Sequence, residues 1–171
     1  MIHLNIGSNL NSNFGTKFEN ISLAIHLLKE SKIIIKKISN FYVTPSYPNK
    51  RLPKFTNIGA LVEYKYSHLK LLKEISLIEK KIGRIKAEKN NPRVCDIDII
   101  DFDGLIKKTK NLQLPHSRCH LRNFVLYPIK EIDPDWIHPI LRKNADLLIN
   151  DLTRIARIEI TRLRKSVIIN T

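Results

Sequence analysis

The chain has 171 residues, of which 43% are hydrophobic and 27% are charged, as in an ordinary globular protein, so disorder throughout is excluded. Two cysteines are too few for a disulfide scaffold, and we expect a reducing, cytoplasmic compartment. The net charge of +14 favours anionic partners, such as nucleic acid, anionic lipid or a phosphorylated small molecule. Because no apolar run approaches the ~18–20 residues that span a bilayer, and the N-terminus lacks a signal-peptide pattern, we expect neither a membrane span nor a leader.

Hydrophobic periodicity predicts the secondary structure. Alternating or β-branched apolar residues predict strands over residues 1–6, 33–42, 55–64 and 94–102. Apolar residues at helical spacing predict helices over residues 16–31 and 69–82, the second closed by Gly83. Asp103-Gly104 predicts a hairpin turn, and two further helices are predicted over 121–132, interrupted by Pro128, and over 144–158.

The order of these elements predicts an α+β fold. Strand, helix, strand, strand, helix, strand is the ferredoxin-like βαββαβ arrangement, an antiparallel sheet with helices packed on it, here with an extra C-terminal hairpin and helices. No composition shift or linker divides residues 1–171, so a single domain is expected. The basic tail, about residues 159–171, is compatible with a helix end, an edge strand or disorder.

The sharpest local signal is the acidic strand that begins after Pro92-Arg93. Asp96 and Asp98 share one face of this strand, about 6.6 Å apart along it. Two neighbouring carboxylates need neutralisation, and Mg²⁺ commonly binds one or two carboxylates together with substrate phosphates. The alternative interpretation is a solvated polar face on an edge strand.

A second signal lies between Pro115 and Leu126. His116 and Arg122 can hold phosphate oxygens, and Phe124 can stack on a flat ring. A zinc site made of His116, Cys119 and His120 is a weaker alternative, because the three ligands crowd one loop and no matching pair exists elsewhere. Cys95 and Cys119 are expected to be small core residues rather than nucleophiles.

A third signal is the basic loop that leads into the acidic strand. It follows Glu79 and Gly83 and contains Arg84, Lys86, Lys89 and Arg93, so cations lie beside the candidate metal ligands, where a polyphosphate needs them. A solvated lysine-rich loop is the alternative for the lysines. Because the chain has neither a P-loop nor a kinase glycine-rich loop, any nucleotide must bind in a different way.

Together these stretches resemble one family, 6-hydroxymethyl-7,8-dihydropterin pyrophosphokinase of folate biosynthesis. The resemblance runs from Ile6 to about Pro139. Its motifs are Ile6-Gly7-Ser8-Asn9-Leu10, Phe41-Tyr42-Val43-Thr44-Pro45, Phe55-Thr56-Asn57, Glu79 with Gly83-Arg84, Pro92-Arg93-Val94-Cys95-Asp96-Ile97-Asp98, and Pro115-His116 through Arg122-Asn123-Phe124-Val125-Leu126-Tyr127-Pro128.

The resemblance implies transfer of pyrophosphate from ATP to the pterin hydroxymethyl group, with AMP as the other product, by a monomer. It implies that Asp96 and Asp98 hold two Mg²⁺ ions and that Arg84, Arg93 and Asp98 are the catalytic residues. The implied ATP-binding residues are Glu79, Arg84, Lys86, Lys89, Arg93, His116 and Arg122. The implied pterin-binding residues are Gly7, Asn9, Thr44, Pro45, Phe55, Asn57 and Phe124. Lys89 stands where the family often has an arginine, and a lysine binds phosphate as a point charge rather than as a planar fork.

Two other interpretations compete with an active enzyme. A nucleic-acid-binding ferredoxin-like module fits the charge of +14, but aromatic residues are only 7% and the fourth strand carries Asp96, Asp98 and Asp101, which oppose a polyanion. We therefore expect neither nucleic acid nor membrane as a partner. A catalytically impaired relative is the third interpretation, based on the altered loop around Lys89.

Overall fold

The computed structural model describes residues 1–84 and 92–167. The strands are β1 (Ile2–Ser8), β2 (Ile34–Ile38), β3 (Asn40–Thr44), β4 (Phe55–Glu63), β5 (Asp96–Phe102), β6 (Lys107–Lys108), β7 (Gln113–Leu114) and β8 (Thr161–Ser166). The helices are α1 (Lys17–Glu30), α2 (His68–Lys81), α3 (Asn123–Ile132), α4 (Ala145–Asp151) and α5 (Arg154–Ile158), and a short 3₁₀-helix spans Cys119–Leu121. No helix in these described ranges is long and apolar enough to cross a membrane.

An antiparallel sheet forms the centre of the molecule. Its strand order is β5-β1-β4-β3-β8, and β2 also pairs with β4. β1 is therefore central, with β4 on one side and β5 on the other, and all seven of its residues are buried. The predicted α+β class with an antiparallel sheet is confirmed, while β6 and β7 form a separate two-stranded sheet.

The prediction of one strand over residues 33–42 is wrong, because the chain forms β2 and β3 with a break at Ser39. The Ser39 backbone N–H donates to the Gly59 carbonyl at 3.0 Å, and the Gly59 N–H donates to Ser39 Oγ at 2.9 Å. A side-chain hydroxyl thus replaces one carbonyl of the strand ladder. The pairing register shifts here, since Ile38 faces Ala60 but Tyr42 faces Asn57.

The two faces of β1 belong to two different layers. Ile2, Leu4 and Ile6 point into the main core, together with apolar residues of α1 and α2. The alternate residues, His3 and Asn5 among them, lie on the other face, because side chains alternate along a strand. α1 begins at a capping box in which Thr16 and Glu19 satisfy each other's backbone N–H groups.

α3 and α4 cover part of this second face with a smaller apolar core. Its described members are Ile100, Cys119, Val125, Leu126, Ile129, Trp136, Ala145, Leu148, Ile149 and Leu152. Two polar contacts lie at this core, since the Trp136 indole N–H donates to Asp101 Oδ2 at 2.8 Å and His3 Nε2 lies 2.8 Å from Asp133 Oδ2. His3 Nδ1 is buried without a hydrogen-bond partner among the described residues. α3 continues through Pro128, so the predicted interruption of this helix is wrong.

The C-terminal region also differs from the predictions. The helix predicted over residues 144–158 is two helices, because Leu152 is extended and the Thr153 hydroxyl caps α5 by accepting from the Ala156 N–H. Of the three alternatives for the tail, residues 161–166 form an edge strand, β8, antiparallel to β3. Glu131 of α3 fixes both strands, accepting hydrogen bonds from Tyr42 Oη at 2.6 Å and from Arg162 at 3.2 Å.

A methyl group at position 59 is expected to destabilise the protein. In Gly59→Ala the new Cβ would lie 2.8 Å from Pro128 Cβ and 3.3 Å from the Pro128 backbone carbon, neither of which can rotate away. We expect overpacking to lower the free energy of unfolding by about 1–3 kcal/mol, measured by urea unfolding. A loss below about 0.5 kcal/mol, as is usual for surface substitutions, would contradict this close packing of β4 on α3.

Acid is expected to destabilise the second core through its buried histidines. Burial, assisted by nearby His120, lowers the pKa of His138 below its ordinary value of 6.5. Below about pH 6.5 the unfolded chain therefore binds more protons than the folded chain. The contribution of neutral His138 to the free energy of unfolding is complete above that pH and is lost as the pH falls towards the folded-state pKa. His138→Asn keeps an acceptor for the Ile140 and Leu141 N–H groups but cannot titrate.

The measurement is urea unfolding of both proteins between about pH 7.5 and pH 5. The wild type should lose more stability than His138→Asn over this range, with slopes differing by at most about 1.4 kcal/mol per pH unit. Parallel curves for the two proteins would contradict the assignment. Burial also lowers the pKa of His3, so the free energy of unfolding of the variant should still fall somewhat with decreasing pH.

Candidate active site

A cavity of about 810 Å³ opens on the second face of the sheet, beside the apolar core under α3 and α4. Strands β1, β4 and β5 contribute to its lining, as do Thr44 and Pro45 at the end of β3. The cavity contains both carboxylates and both aromatic rings that the sequence singled out, which are Asp96, Asp98, Phe55 and Phe124.

Strand register arranges the floor of this cavity in two rows. Gly7 of β1 is paired with Asn57 on β4 and with Asp96 on β5, and Asn5 is paired with Gly59 and with Asp98. A Cβ at position 7 would overlap Asn57 Oδ1, so any side chain there would displace the buried Asn57 carboxamide. The glycine therefore lets the buried Asn57 carboxamide cross towards β1.

Arginines and a histidine surround the two carboxylates. Arg84 lies 2.9 Å from Asp96 Oδ1, and Arg93 pairs with Asp96 Oδ2. Arg122 and His116 approach Asp98 Oδ2 at 3.3 and 3.9 Å. The predicted phosphate-binding and metal-binding groups thus lie together, at the β5 end of the floor.

Burial perturbs the ionisation of these groups. Burial and the neighbouring charge of Asp98 raise the pKa of Asp96. Burial lowers the pKa of His116, which favours a neutral imidazole, and it also lowers the pKa of Arg122. For Arg84, the charges of Asp96 and Glu79 outweigh burial and raise the pKa. A cluster of partly desolvated charges with shifted pKa values is typical of a functional site.

Glu79 lies beneath this cluster rather than in the cavity lining. Its side chain is buried, pairs with Arg84 and accepts a hydrogen bond from the Ile97 N–H at 2.8 Å. Burial raises the pKa of Glu79 to about 7. In this structure the residue fixes α2 to β5 and orients Arg84, so the predicted contact with the nucleoside stays a prediction.

Asn9 likewise fastens chain segments together. Its N–H and Oδ1 bond the backbone of Arg93, at 3.1 and 2.7 Å, while its Nδ2 donates to the Pro53 carbonyl at 3.2 Å. Asn9 is buried and does not line the cavity, so its predicted contact with the pterin stays a prediction. The predicted ATP ligands Lys86 and Lys89 lie outside the described residues.

Sequence reasoning missed the wall made by the C-terminal segment. Thr153, Ile155, Ala156 and Glu159 line the cavity. Asn123 Nδ2 donates to the Ala156 carbonyl at 2.6 Å, and Lys50 pairs with Glu159, so both α3 and the β3–β4 loop hold this segment in place. Only tertiary packing brings it here. Asn5 was also missed, although alternation along β1 places it on the same face as Gly7.

The histidines and cysteines of the second signal separate in the structure. His116 faces Asp98, whereas Cys119 and His120 group with His138, their possible ligand atoms lying within 4.8 Å of one another. His138 Nδ1 accepts the Ile140 and Leu141 N–H groups, so the proton of the neutral ring is on Nε2 and no lone pair is free for an ion. Because His116 faces Asp98 and lies outside this group, the predicted zinc grouping of His116, Cys119 and His120 is wrong.

Comparison with known proteins agrees with this arrangement. Residues 3–134 match the 7,8-dihydro-6-hydroxymethylpterin-pyrophosphokinase family, abbreviated HPPK. A 2-amino-4-hydroxy-6-hydroxymethyldihydropteridine pyrophosphokinase of Aquifex aeolicus is 34% identical over 142 residues, which cover 83% of this chain and 86% of that protein. This chain belongs to the HPPK family.

Other relatives are much longer. A folic acid synthesis protein of Dictyostelium discoideum is 38% identical over 141 residues, and the match covers 82% of this chain but 21% of that protein. The crystal structure of Plasmodium falciparum HPPK-DHPS superposes with a TM-score of 0.70 at 17% identity, covering 94% of this chain and 47% of that one. The chain thus spans about a fifth of the length of the first relative and about half of the second.

The structural role of Glu79 predicts a clear difference between two substitutions. Glu79→Ala leaves the buried Ile97 N–H without its acceptor and Arg84 without one partner, so the free energy of unfolding should fall by about 1–3 kcal/mol. Glu79→Gln keeps an amide oxygen at the same place and should lose less. Urea unfolding of both variants checks this, and equal losses would show that the hydrogen bond to β5 is unimportant.

Proposed function

We propose that this HPPK-family protein transfers pyrophosphate from ATP to the hydroxymethyl group of 6-hydroxymethyl-7,8-dihydropterin, giving AMP and the pterin diphosphate in folate biosynthesis. The observation that carries the proposal is one cavity with two different ends. Carboxylates and arginines lie on the β5 side, and aromatic rings with a buried carboxamide lie on the β4 side. Such a cavity suits a flat heterocycle held beside a polyphosphate.

The β4 side is suited to the pterin. Phe55 and Phe124 both line the cavity and would sandwich the ring, with Thr44 and Pro45 at its edge. Asn57 is 3% exposed, and within residues 1–84 and 92–167 its Nδ2 has no hydrogen-bond partner. A buried amide N–H without a partner is costly, so a polar ring edge would supply the missing acceptor.

The β5 side is suited to the triphosphate and its metal ions. Asp96 and Asp98 would hold two Mg²⁺ ions, since adjacent carboxylates at a cavity surface provide the oxygen ligands that this ion prefers. Bound Mg²⁺ would neutralise charge on the transferred group. Arg84, Arg93, His116 and Arg122 are within reach to hold phosphate oxygens, and Lys86 and Lys89 are proposed to assist them.

The ion pairs of the arginines with Asp96 and Asp98 suggest how these residues would act. In the structure the arginines neutralise Asp96 and Asp98, and their guanidinium groups are held at the edge of the cavity. If Mg²⁺ took over the neutralisation of the two carboxylates, the same guanidinium groups would be available to bind phosphate oxygens. Arg84, Arg93 and Asp98 are therefore proposed as the catalytic residues, acting by orientation and by stabilising the developing charge.

We also propose a fold description, a cellular location and an oligomeric state for this protein. The strand order, β5-β1-β4 followed by β2 and β3, supports a ferredoxin-like description of the core, with residues 1–171 as a single domain. Cys95 and Cys119 are free and buried, which supports a reducing, cytoplasmic location. We propose that the enzyme works as a monomer on these small molecules, without nucleic acid or membrane.

The test is AMP formation from ATP with the dihydropterin and Mg²⁺. AMP should appear only when all three are present, and Asp98→Asn should lower the rate at least about 100-fold, because it removes an ion ligand worth several kcal/mol in the transition state. The matched control is Asp103→Asn. Asp103 follows the last residue of β5, is exposed and pairs with the N-terminal amine. The proposal would be abandoned if the wild type released no AMP, or released it without the pterin.

A further inference from the structure

Asn5 is a buried polar residue on the central strand with an unmet hydrogen-bonding need. Its side chain lines the cavity, the residue is 5% exposed, and no described residue hydrogen-bonds its Oδ1. Buried carboxamides are usually fully hydrogen-bonded, and an exception calls for a physical explanation. The neighbouring β1 residues Leu4 and Ile6 pack in the main core on the other face, so Asn5 takes no part in that core.

The surroundings of Asn5 leave its carboxamide free for a ligand. Across β1 it is paired with Gly59 on β4, which has no side chain, and with Asp98 on β5. Facing residues on adjacent strands have Cβ atoms about 4.5–5.5 Å apart, so the amide is close to the Asp98 carboxylate. Among the described contacts, Asp98 bonds Arg122 and not Asn5.

The position of β1 indicates which part of a ligand reaches Asn5. The ring site lies towards β4, where Phe55 and Asn57 are, and the phosphate and metal site lies towards β5, where Asp96 and Asp98 are. A group that joins the two must cross β1. Of the described residues that line the cavity, β1 contributes Gly7 and Asn5, and only Asn5 has a side chain.

We propose that the Asn5 carboxamide hydrogen-bonds the acceptor hydroxyl of the substrate and so selects pterins that carry a 6-hydroxymethyl group over those that carry a 6-methyl group. This inference rests on the proposed function and adds a specificity-determining residue to it. A carboxamide suits the task, because its oxygen accepts and its NH₂ donates, and half a turn about χ2 exchanges the two. The hydroxyl is thereby positioned beside Asp98, where the phosphate site begins.

The experiment compares two ligands in equilibrium binding, with EDTA present so that no divalent ion contributes. Dissociation constants are measured by fluorescence for 6-hydroxymethylpterin and 6-methylpterin with the wild type and with Asn5→Ala. The wild type should prefer the hydroxymethyl ligand by about 5- to 10-fold, the range of one hydrogen bond. Asn5→Ala should bind both within about twofold of each other, because the methyl ligand never used the amide.

Two controls separate recognition from structure. Asn57→Ala should raise the dissociation constants of both ligands by a similar factor and keep the preference for the hydroxymethyl ligand, because Asn57 is assigned to the ring edge that both ligands share. Asn5→Ser serves as a second variant if Asn5→Ala does not fold, because its short hydroxyl cannot reach the ligand and it should lose the preference too. Trp136 is buried in the core under α3 and α4, so its fluorescence reports whether each variant is folded.

The outcomes distinguish the inference from the function on which it rests. A wild type without preference, or a folded Asn5 variant that keeps the wild-type preference, overturns the role of Asn5 but leaves the pyrophosphokinase proposal intact. An Asn5 variant that raises both dissociation constants equally also overturns the recognition role, because the effect is then structural. A folded wild type that binds neither pterin overturns the ring site on the β4 side and with it the role of Asn5, whereas the proposed function fails only if no AMP is formed from ATP and the dihydropterin.

Discussion

The antiparallel pairing of β1 with β4 and β5 is the constraint on which the site depends. Because side chains alternate along a strand, the central strand can send isoleucine and leucine into the main core and still place His3, Asn5 and Gly7 on the opposite face. The register then puts Asn57 and Asp96 on either side of Gly7. A shift of one residue would exchange the two faces, so the apolar core that stabilises the fold also fixes the geometry of the cavity floor.

The charges at the cavity are the second constraint, and they explain the buried Glu79. Asp96 and Asp98 would repel each other on one strand, and Arg84, Arg93 and Arg122 offset that repulsion. Arg84 would otherwise be a mobile side chain at the end of α2, but its pairing with Glu79 directs it to Asp96. The helix, the acidic strand and the cation are thus positioned by one carboxylate, which also bonds the backbone of Ile97.

Local patterns predicted the parts of the protein that depend on local physics. Alternation placed Asp96 and Asp98 on one face, and helical spacing found α1 and α2 to within a few residues. Tertiary contacts decided the rest. The break at Ser39 depends on a hydroxyl that bonds Gly59, and the close packing of Pro128 of α3 on β4 depends on the absence of a side chain at Gly59. The sequence pattern of one segment contains neither partner.

The cavity wall has a different origin from its floor. The floor comes from residues within 3–134, the part that matches the family, whereas α5 and Glu159 come from beyond it. Family-matched residues hold this wall from two sides: Asn123 and Tyr127 of α3 donate to the Ala156 and Arg157 carbonyls, and Lys50 pairs with Glu159. An exposed ion pair of this kind contributes little to stability, on the order of 0–1 kcal/mol. The family-matched residues therefore supply the carboxylates, rings and carboxamide of the floor, while the C-terminal segment supplies one wall and is tied to the same sheet by the pairing of β8 with β3.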